Sequence, residues 1–284
     1  MYKIDNARMS ELFRADGETR HYYACHNIAN AGKPWCAIKS VEFYTDERDT
    51  PKLEYAEFVA NIFGELSVFI NTADDALIDD VCRKIVEIHA EYERVSIETP
   101  SRIDLSVNGT VRRYFDLSNI YEIELGVYGL LSADKVPPLA MPDDVTVHAA
   151  SPDEIETIKS LDLQEWGGIP MMLSRVFDSE RDLLFLLYFG GQLAGALAAN
   201  CQYENICDIV TVFVHERFRN RHFATLLTVY FARHCLSNGL YPHYGTAANA
   251  ESEKVAVNSG FEETARNHSF DVRYTAEPSP YPPA

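Results

Sequence analysis

The sequence predicts a mixed α/β protein of two domains, in which helices flank a central sheet of mixed strand directions. Three patterns lead to this prediction. Residues 210–227 contain a buried-strand pattern, a basic turn and the start of an amphipathic helix. Residues 181–200 contain two apolar runs separated by Gly190 and Gly191, a pair typical of a β-hairpin turn. Residues 74–92 have apolar side chains at the three- and four-residue spacing of a helix.

The composition indicates a folded protein with a strongly acidic surface. Of its 284 residues, 46% are hydrophobic and 12% are aromatic, and the net charge is -18. Negative charge of this size repels nucleic acid and anionic membranes, so neither is expected as a partner. The sequence contains no apolar run of about 18 residues, the length of a membrane span, and its start does not resemble a signal peptide.

The cysteine and histidine spacings point away from disulfides and metal. The six cysteines include no C-x-x-C pair, which predicts reduced thiols and a cytoplasmic location. His215 and His222 are seven residues apart across a turn, which is not a zinc-binding spacing, so no metal is expected.

The first domain is predicted to be an α/β unit covering residues 1–131. Strands are expected at residues 37–44, 66–70, 95–97 and 120–128, and the helix of residues 74–92 has favourable acidic residues in its first turn. The Asn108-Gly109 pair predicts a hairpin within residues 103–114. No nucleotide loop, metal-ligand spacing or nucleophile motif is present in this part of the sequence. We therefore expect a structural or substrate-shaping domain and assign it no activity.

Three prolines interrupt the pattern and predict a linker at residues 132–144. The second domain is then predicted to cover residues 145–274. Ser151 followed three residues later by Glu154 predicts a capping box at the start of its first helix. Residues 275–284 are rich in proline, which predicts a disordered or extended tail.

The centre of the second domain is a strand, a turn and a helix. Residues 210–214 predict a strand buried on both faces that ends near His215. Residues 219–222 form a polar, basic turn, and a helix with an apolar stripe begins at Phe223. The first N–H groups of such a helix are unpaired and lie at the positive end of its dipole. The pattern therefore predicts an anion site, most naturally for phosphates.

The turn sequence RNRHFA, residues 219–224, resembles the R-x-x-G-x-A loop of the GNAT superfamily of N-acetyltransferases. In that family the loop joins the fourth strand to the third helix, and its backbone amides hold the diphosphate of acetyl-coenzyme A. His222 stands where the family usually has Gly, and Asn220 replaces a second frequent Gly. A side chain there can obstruct the close approach of phosphates. His222 is therefore expected either to adopt a conformation that still allows binding, strained or ordinary helical, or to weaken the site.

The segment downstream of the predicted helix resembles the closing segment of GNAT domains. Residues 241–248 predict a short strand, and Asn249 follows it. In the family an Asn after the fifth strand and a small polar residue three positions on, here Ser252, contact the coenzyme. The last helix of the family ends in a Gly-Phe pair, here Gly260 and Phe261.

The resemblance covers residues 145–274 and implies a GNAT-like domain that uses acetyl-coenzyme A as cosubstrate. It assigns the coenzyme contacts to Phe213, Val214, Arg219, Asn220, Arg221, His222, Phe223, Ala224, Thr225, Asn249 and Ser252. The order of elements in the first domain would also suit a degenerate copy of the same fold.

Asp208 is the first candidate for a general base. It lies eleven residues before Arg219, the spacing at which histone-acetylating members of the family keep a Glu on this strand. The alternative is a solvated aspartate at a strand start. Glu165 and His215 are the reserve candidates. Trp166, in the region that lies over the acceptor groove of the family, either lines that groove or anchors packing.

The general acid is where the family pattern fails. Many members have a Tyr four residues before the closing Gly, and this sequence has Ala256 there. Ser252 or Tyr244 are possible substitutes, but a thiolate leaves without much help because its conjugate thiol has a pKa of about 8.5. Backbone N–H groups around Phe213 and Val214 are expected to bind the pantetheine arm or polarise the thioester carbonyl.

The sequence therefore predicts an N-acetyltransferase that moves an acetyl group directly from acetyl-coenzyme A to a primary amine. The alternative is a noncatalytic acyl-coenzyme A-binding or sensor protein, and a third reading is an unrelated α/β domain whose basic turn has no ligand. The acidic surface suggests a polyamine, lysine or an aminoglycoside as acceptor, without selecting one. A homodimer is compatible with the sequence but not indicated by it.

Overall fold

The computed structural model describes residues 1–16, 22–33, 36–46, 53–104, 108–115, 121–130, 132–167, 169–175, 177, 182–203 and 205–272. The fold is mixed α/β, as predicted. In chain order its strands and helices are β1 Tyr2–Ile4, α1 Asn6–Asp16, α2 Tyr22–Asn30, β2 Ile38–Thr45, β3 Tyr55–Asn61, β4 Glu65–Asn71, α3 Asp75–Ile88, β5 Arg94–Pro100, β6 Tyr121–Gly129, β7 Val145–Ala149, α4 Pro152–Lys159, α5 Leu163–Trp166, α6 Ile169–Arg175, β8 Leu183–Phe189, β9 Gln192–Tyr203, β10 Ile206–Val214, α7 Phe223–Ser237, β11 Tyr241–Ala247, α8 Ala250–Asn258 and β12 Glu262–Val272.

The chain forms two compact units that are not contiguous in sequence. The first contains residues 1–21, 38–123 and 268–284, and the second contains residues 22–37 and 124–267. In the part of the chain that the structure describes, no helix is long and apolar enough to cross a lipid bilayer.

The first unit has the strand order β1-β2-β3-β4-β5, followed by the end of β12. Strands β1 to β4 pair antiparallel, and β5 is parallel to β4. Helix α3 buries the apolar stripe predicted from the sequence, and the carboxylate of Asp74 caps it by accepting a 2.8 Å hydrogen bond from the N–H of Leu77. The last residues of the predicted helix form a separate 3₁₀ turn, His89–Glu91.

The second unit has the strand order β6-β11-β10-β9-β8-β7, with the first part of β12 beside β6. Helix α7 covers one face through a cluster that includes Phe185, Leu197 and Phe231. Helices α4 and α6 cover the other face through Ile158 and Leu173, and α2 packs on β9. The predicted hairpin is present between β8 and β9, and its two glycines have the positive φ angles, 55° and 78°, of a primed turn. The predicted capping box of α4 is also present.

The two halves of the sequence exchange their last strands. Both halves have the same order of elements: one strand, helices, three antiparallel strands, a helix and a further strand. This order agrees with the first half being a degenerate copy of the fold of the second. Yet residues 124–129 of β6 belong to the second unit, where they pair with β11, and residues 268–272 of β12 belong to the first unit. The predicted linker, residues 132–144, lies inside the second unit. A division into domains at that linker stays a prediction.

One prediction about the first unit is wrong. Asn108-Gly109 is not a hairpin turn, because the side chain of Asn108 accepts hydrogen bonds from the N–H groups of Thr110 and Val111, and a 3₁₀ helix begins at Val111. Residues 105–107 of that predicted hairpin, like the predicted tail at residues 275–284, lie outside the described residues.

The cysteines are also not all reduced. Cys201 on β9 and Cys207 on β10 form a disulfide, and the other four cysteines are free and buried. The sequence spacing did not reveal this pair because the pair depends on how neighbouring strands align.

Candidate functional site

Strands β10 and β11 run side by side for three residues and then separate. They pair in parallel at Ile206 with Tyr241, Cys207 with Pro242, and Asp208 with His243. Beyond this point β10 continues along β9 as far as Val214, whereas β11 continues along β6 as far as Ala247. Among the residues that the structure describes, no strand pairs with this edge of β10 after Asp208, so the peptide groups of the edge are available to a ligand.

The alternation along β10 shows which of these peptide groups face the gap. The N–H of His215 donates to the carbonyl oxygen of Ala194 on β9 at 2.9 Å. Every second residue of β10, counted back from His215, therefore directs its N–H toward β9. Phe213 is opposite Ala196 and has its N–H directed toward β9. The N–H of Val214 is directed to the gap. Of the two predicted pantetheine contacts, the backbone of Val214 therefore faces the gap and that of Phe213 does not.

The prediction that β10 is buried on both faces is wrong for its second half. Val210 is 48% exposed. The register changes there, because Ile209 is opposite Ala199 and Thr211 is opposite Ala198, which leaves Val210 as the extra residue of a β-bulge. The bulge lies just past the point where β10 and β11 separate.

The turn before α7 adopts glycine-like conformations without glycine. Asn220 and His222 have φ angles of 62° and 60°, in the left-handed region that favours glycine. They stand at the two positions where the family usually has Gly. Of the conformations left open by the sequence, His222 therefore takes a strained one, while keeping the backbone path that a glycine would have.

Helix α7 begins at this turn with unpaired N–H groups. His222 is its N-cap residue, and its side chain makes no capping hydrogen bond. The N–H groups of Phe223, Ala224 and Thr225 precede the first intrahelical bond, which runs from the N–H of Leu226 to the carbonyl oxygen of His222 at 2.9 Å. These donors lie at the positive end of the helix dipole, an arrangement that favours a bound anion.

Two arginines add positive charge to the turn. The Nε of Arg219 donates to the carbonyl oxygen of Val214 at 3.3 Å, which ties the turn to the end of β10. The guanidinium of Arg221 lies 4.9 Å from the centre of the Phe189 ring. Both arginines are exposed, so both remain open to an anionic ligand.

The corresponding region of the first unit has no such opening. Strands β4 and β5 stay paired over five successive residues, from Glu65 with Arg94 to Phe69 with Glu98. The helix that follows is capped by the carboxylate of Asp74, which occupies an N–H group and places negative charge at the helix start. Among the described residues, a separated strand edge followed by a helix start without a side-chain cap therefore occurs in the second unit alone.

Asn249 and Ser252, two predicted coenzyme contacts, are engaged with each other. The side chain of Asn249 accepts from the N–H of Ser252 at 2.8 Å, and the hydroxyl of Ser252 donates to the carbonyl oxygen of Asn249 at 2.9 Å. They form the capping box of α8. Their contact with a coenzyme stays a prediction.

The position that many family members fill with Tyr points into the core. Ala256 is fully buried in the cluster under α7. Tyr244, a proposed substitute acid, is also buried, and burial raises the pKa of its hydroxyl far above the ordinary value. Ala256 has no proton to give, and the raised pKa of Tyr244 makes its hydroxyl a poor proton donor.

Asp208 is not a solvated aspartate at a strand start. It is 6% exposed, and its Oδ1 lies 2.7 Å from Nδ1 of His243, the residue opposite it on β11. The sequence analysis missed His243. Only the alignment of two strands separated by a whole helix brings this pair together, and no local motif indicates it.

The reserve base candidates are placed less well. Glu165 is exposed on α5. The Nδ1 of His215 accepts from the N–H of Arg217 at 3.3 Å and so caps a short 3₁₀ helix. Trp166 is buried, with its ring 5.7 Å from that of Phe213 and 5.4 Å from that of His215. These contacts make Trp166 a packing anchor.

The second half of the chain is similar in sequence to a known protein family. The sequence profile of a family described as GNAT acetyltransferase matches residues 184–269. The second half of the chain contains a GNAT-superfamily domain, as predicted. That family consists in general of acyltransferases. No curated protein has a matching sequence.

Three solved structures have a similar fold over nearly the whole chain. A GCN5-related N-acetyltransferase-like protein from Streptococcus suis has a TM-score of 0.58 and 14% identity, covering 94% of this chain and 98% of its own. A Drosophila protein has a TM-score of 0.60 and 13% identity, covering 96% and 98%. A tandem GNAT protein from the clavulanic acid biosynthesis pathway has a TM-score of 0.54 and 15% identity, covering 91% and 89%. The likeness concerns the fold, and it includes a protein with two GNAT copies.

Proposed function

We propose that the second unit is an N-acetyltransferase that moves an acetyl group from acetyl-coenzyme A directly to a primary amine. The observation behind this proposal is the separation of β10 from β11 immediately before the left-handed turn at the start of α7. One edge supplies peptide groups for an extended arm, and the turn supplies N–H groups and arginines for a diphosphate.

The coenzyme contacts follow from this geometry. The diphosphate binds to the backbone N–H groups of residues 220–225, with Arg219 and Arg221 beside them. The pantetheine arm lies along the open edge of β10, where the N–H of Val214 donates to it or to the thioester carbonyl. A donor aimed at that carbonyl stabilises the negative charge that develops on its oxygen during attack.

The chemistry needs a group that accepts a proton from the acceptor. A primary amine with a pKa near 10.4 is protonated at neutral pH, and exposing its lone pair costs roughly 4 to 5 kcal/mol. Asp208, at the point where the strands separate, is the predicted source of this basicity. The leaving thiolate is stable enough for the reaction to proceed without a dedicated acid.

The acceptor is proposed to be a cationic amine, for which the net charge of -18 makes spermidine, lysine and kanamycin suitable probes. A cytoplasmic location is part of the proposal. The Cys201–Cys207 disulfide argues against this location, because such bonds are uncommon in reducing compartments.

Calorimetric titration of the full chain with acetyl-coenzyme A, free coenzyme A and ATP tests the proposal. We expect micromolar binding of both coenzymes and none of ATP, since ATP has no pantetheine arm. A screen of spermidine, lysine and kanamycin with acetyl-coenzyme A then measures turnover. Binding without turnover would favour a noncatalytic acyl-coenzyme A-binding protein. Absence of coenzyme binding would contradict both functions.

A further inference from the structure

The ring of Phe189 lies against the turn before α7 at three places. Phe189 is the last residue of β8, and its ring centre is 6.1 Å from that of Phe218 and 5.5 Å from that of Phe223. The guanidinium of Arg221 lies 4.9 Å from the same ring centre. These three residues extend from the 3₁₀ helix after β10 to the first residue of α7. One side chain outside the turn therefore packs against both of its ends and its middle.

The backbone of Phe189 is held on both sides. Phe189 is paired with Val145 on β7 and with Gln192 on β9. The N–H of Gly190, the next residue, donates to the carbonyl oxygen of Asp144 at 2.8 Å. Residues paired within a sheet open less often than residues of turns. The ring is therefore a fixed support for a segment that has no strand pairing of its own.

The two left-handed residues of the turn flank Arg221. Asn220 precedes it with a φ of 62°, and His222 follows it with a φ of 60°. A left-handed conformation costs free energy for a residue with a Cβ, and it persists only where the surrounding structure fixes it. The side chain of His222 makes no capping hydrogen bond that would fix it. The packing on Phe189 supplies such a restraint.

The contact with Phe189 also restricts the side chain of Arg221. An exposed arginine has many rotamers, and binding an anion requires that one of them be selected at a cost in entropy. A guanidinium on the face of an aromatic ring is attracted to the ring and adopts fewer orientations. Arg219 is restricted in a comparable way, since its Nε donates to the carbonyl oxygen of Val214. The two arginines are thus anchored on two different strands, β8 and β10.

We propose that Phe189 is a positioning residue for the coenzyme, whose ring keeps the turn left-handed and Arg221 oriented before a ligand binds. Glycine would adopt this backbone without support, so the ring takes over what Asn220 and His222 do not provide. Such preorganisation raises affinity because less freedom is lost on binding. The inference rests on the proposed N-acetyltransferase function for the identity of the ligand, an acyl-coenzyme A.

The first test is limited trypsin digestion of the full chain without coenzyme, because the turn contains cleavage sites at Arg217, Arg219 and Arg221. Slow cleavage reports the population of the open turn. In Phe189→Leu we expect cleavage at these arginines to be about 5- to 30-fold faster than in the parent, the factor that corresponds to the loss of a cation–π contact. Mass spectrometry of the fragments identifies the sites. Phe189→Tyr, which keeps a ring, should be cleaved at the parental rate.

The matched control is Tyr188→Leu. Tyr188 is the neighbouring half-buried residue of β8, but its ring stacks on that of His148, with the ring centres 5.5 Å apart. This variant should leave cleavage at the turn unchanged. Phe218→Leu alters the contact from the side of the turn and should also speed cleavage, which keeps the test decisive if Phe189→Leu does not fold. Parental cleavage rates in the folded variants of Phe189 and Phe218 would overturn the proposal.

The second test measures coenzyme binding. Calorimetry with acetyl-coenzyme A should show about 5- to 30-fold weaker binding to Phe189→Leu than to the parent. The loss should be smaller when Arg221 is already replaced by Ala, because the ring then has no guanidinium to orient. In acetyl transfer to spermidine, lysine or kanamycin, the KM for acetyl-coenzyme A should rise while kcat and the KM for the amine stay parental. A general loss of stability would not produce that split.

The outcomes separate this inference from the function beneath it. A parent that binds no coenzyme would contradict the N-acetyltransferase function and the ligand named here, whereas faster cleavage in Phe189→Leu would still show that the ring holds the turn. A parent that binds the coenzyme, with folded Phe189→Leu binding it equally well, would overturn the role of Phe189 alone.

Discussion

A side chain at position 245 would collide with Asp208. A Cβ built on Gly245 would lie 2.8 Å from Oδ1 of Asp208 and 3.0 Å from the hydroxyl oxygen of Tyr23. Gly245 also has a φ of 71° and lies at a register shift in β11. The glycine thus allows β11 to pass close to the Asp208 and His243 pair as the strands separate.

Gly245→Ala is expected to destabilise the protein by about 1 to 3 kcal/mol, because it adds backbone strain and forces Asp208 to move. It should also lower turnover. Urea unfolding measures the first effect and acetyl transfer the second. Gly239→Ala is the control, since Gly239 has the same φ of 71° with nothing within 4 Å of an added Cβ. Equal losses in the two variants would show that the collision has no effect of its own.

His222→Gly is expected to stabilise the protein slightly, by about 0.5 to 1 kcal/mol, because a left-handed residue with a Cβ is strained by about 1 to 2 kcal/mol and glycine is not. The coenzyme should bind more tightly, since no side chain then stands at the turn. Thermal unfolding and calorimetry measure these effects. The same change inside α7, His234→Gly, should destabilise instead. A destabilised His222→Gly would contradict the strain argument.

Replacing Arg219 and Arg221 together by Ala should weaken coenzyme binding by about 1 to 3 kcal/mol through lost charge-assisted hydrogen bonds. The salt dependence of binding should fall as well. Calorimetry at two salt concentrations measures both. The control replaces Arg8 and Arg83, whose side chains form exposed ion pairs in the first unit. A double variant at the turn that binds like the parent would exclude the turn as the phosphate site.

Glu154→Gln should cost stability at neutral pH but not in strong acid. Hydrogen bonds from the Ser151 backbone, His148, the Ser151 hydroxyl and Tyr188 lower the pKa of Glu154 to about 2. A lowered folded-state pKa gives stability above the unfolded value, about 4.3, which is lost as pH falls toward 2. We expect a loss of about 1 kcal/mol at pH 7, a typical value for a helix cap. Urea unfolding at pH 7 and at pH 2.5 measures it. Glu156→Gln, outside the capping box, should show no such difference.

Alkylation of the unfolded chain should modify four cysteines before reduction and six after it, because Cys201 and Cys207 are joined. Mass spectrometry of protein denatured in the presence of alkylating agent counts them. Reduction should lower the free energy of unfolding by about 2 kcal/mol, the amount expected for a short closed loop. Six modified cysteines without reductant would contradict the disulfide.

Much of the second unit was predictable because its determinants are local. Gly190 and Gly191 encode a turn, Ser151 and Glu154 encode a helix start, and the apolar stripe after Phe223 encodes α7. The succession of strand, basic turn and helix around residues 210–227 was also predictable, since these elements follow one another in sequence. Even the unusual backbone at His222 was anticipated as an alternative.

The contact between Asp208 and His243 was not predictable, because it depends on strand alignment. The two residues come from different strands, and a one-residue slip would turn either of them to the other face. The same reason hid the disulfide between Cys201 and Cys207. Asn108 misled the sequence analysis because an Asn side chain can close a turn without a hairpin.

The exchange of β6 and β12 has a consequence for synthesis. The first unit lacks a strand of its sheet until residues 268–272 have left the ribosome, and the second unit needs residues 22–37 from early in the chain. The early strands of the first unit therefore lack this partner until the last part of the chain has been synthesised. A fragment cut between the two halves of the sequence would therefore remove one strand from each unit.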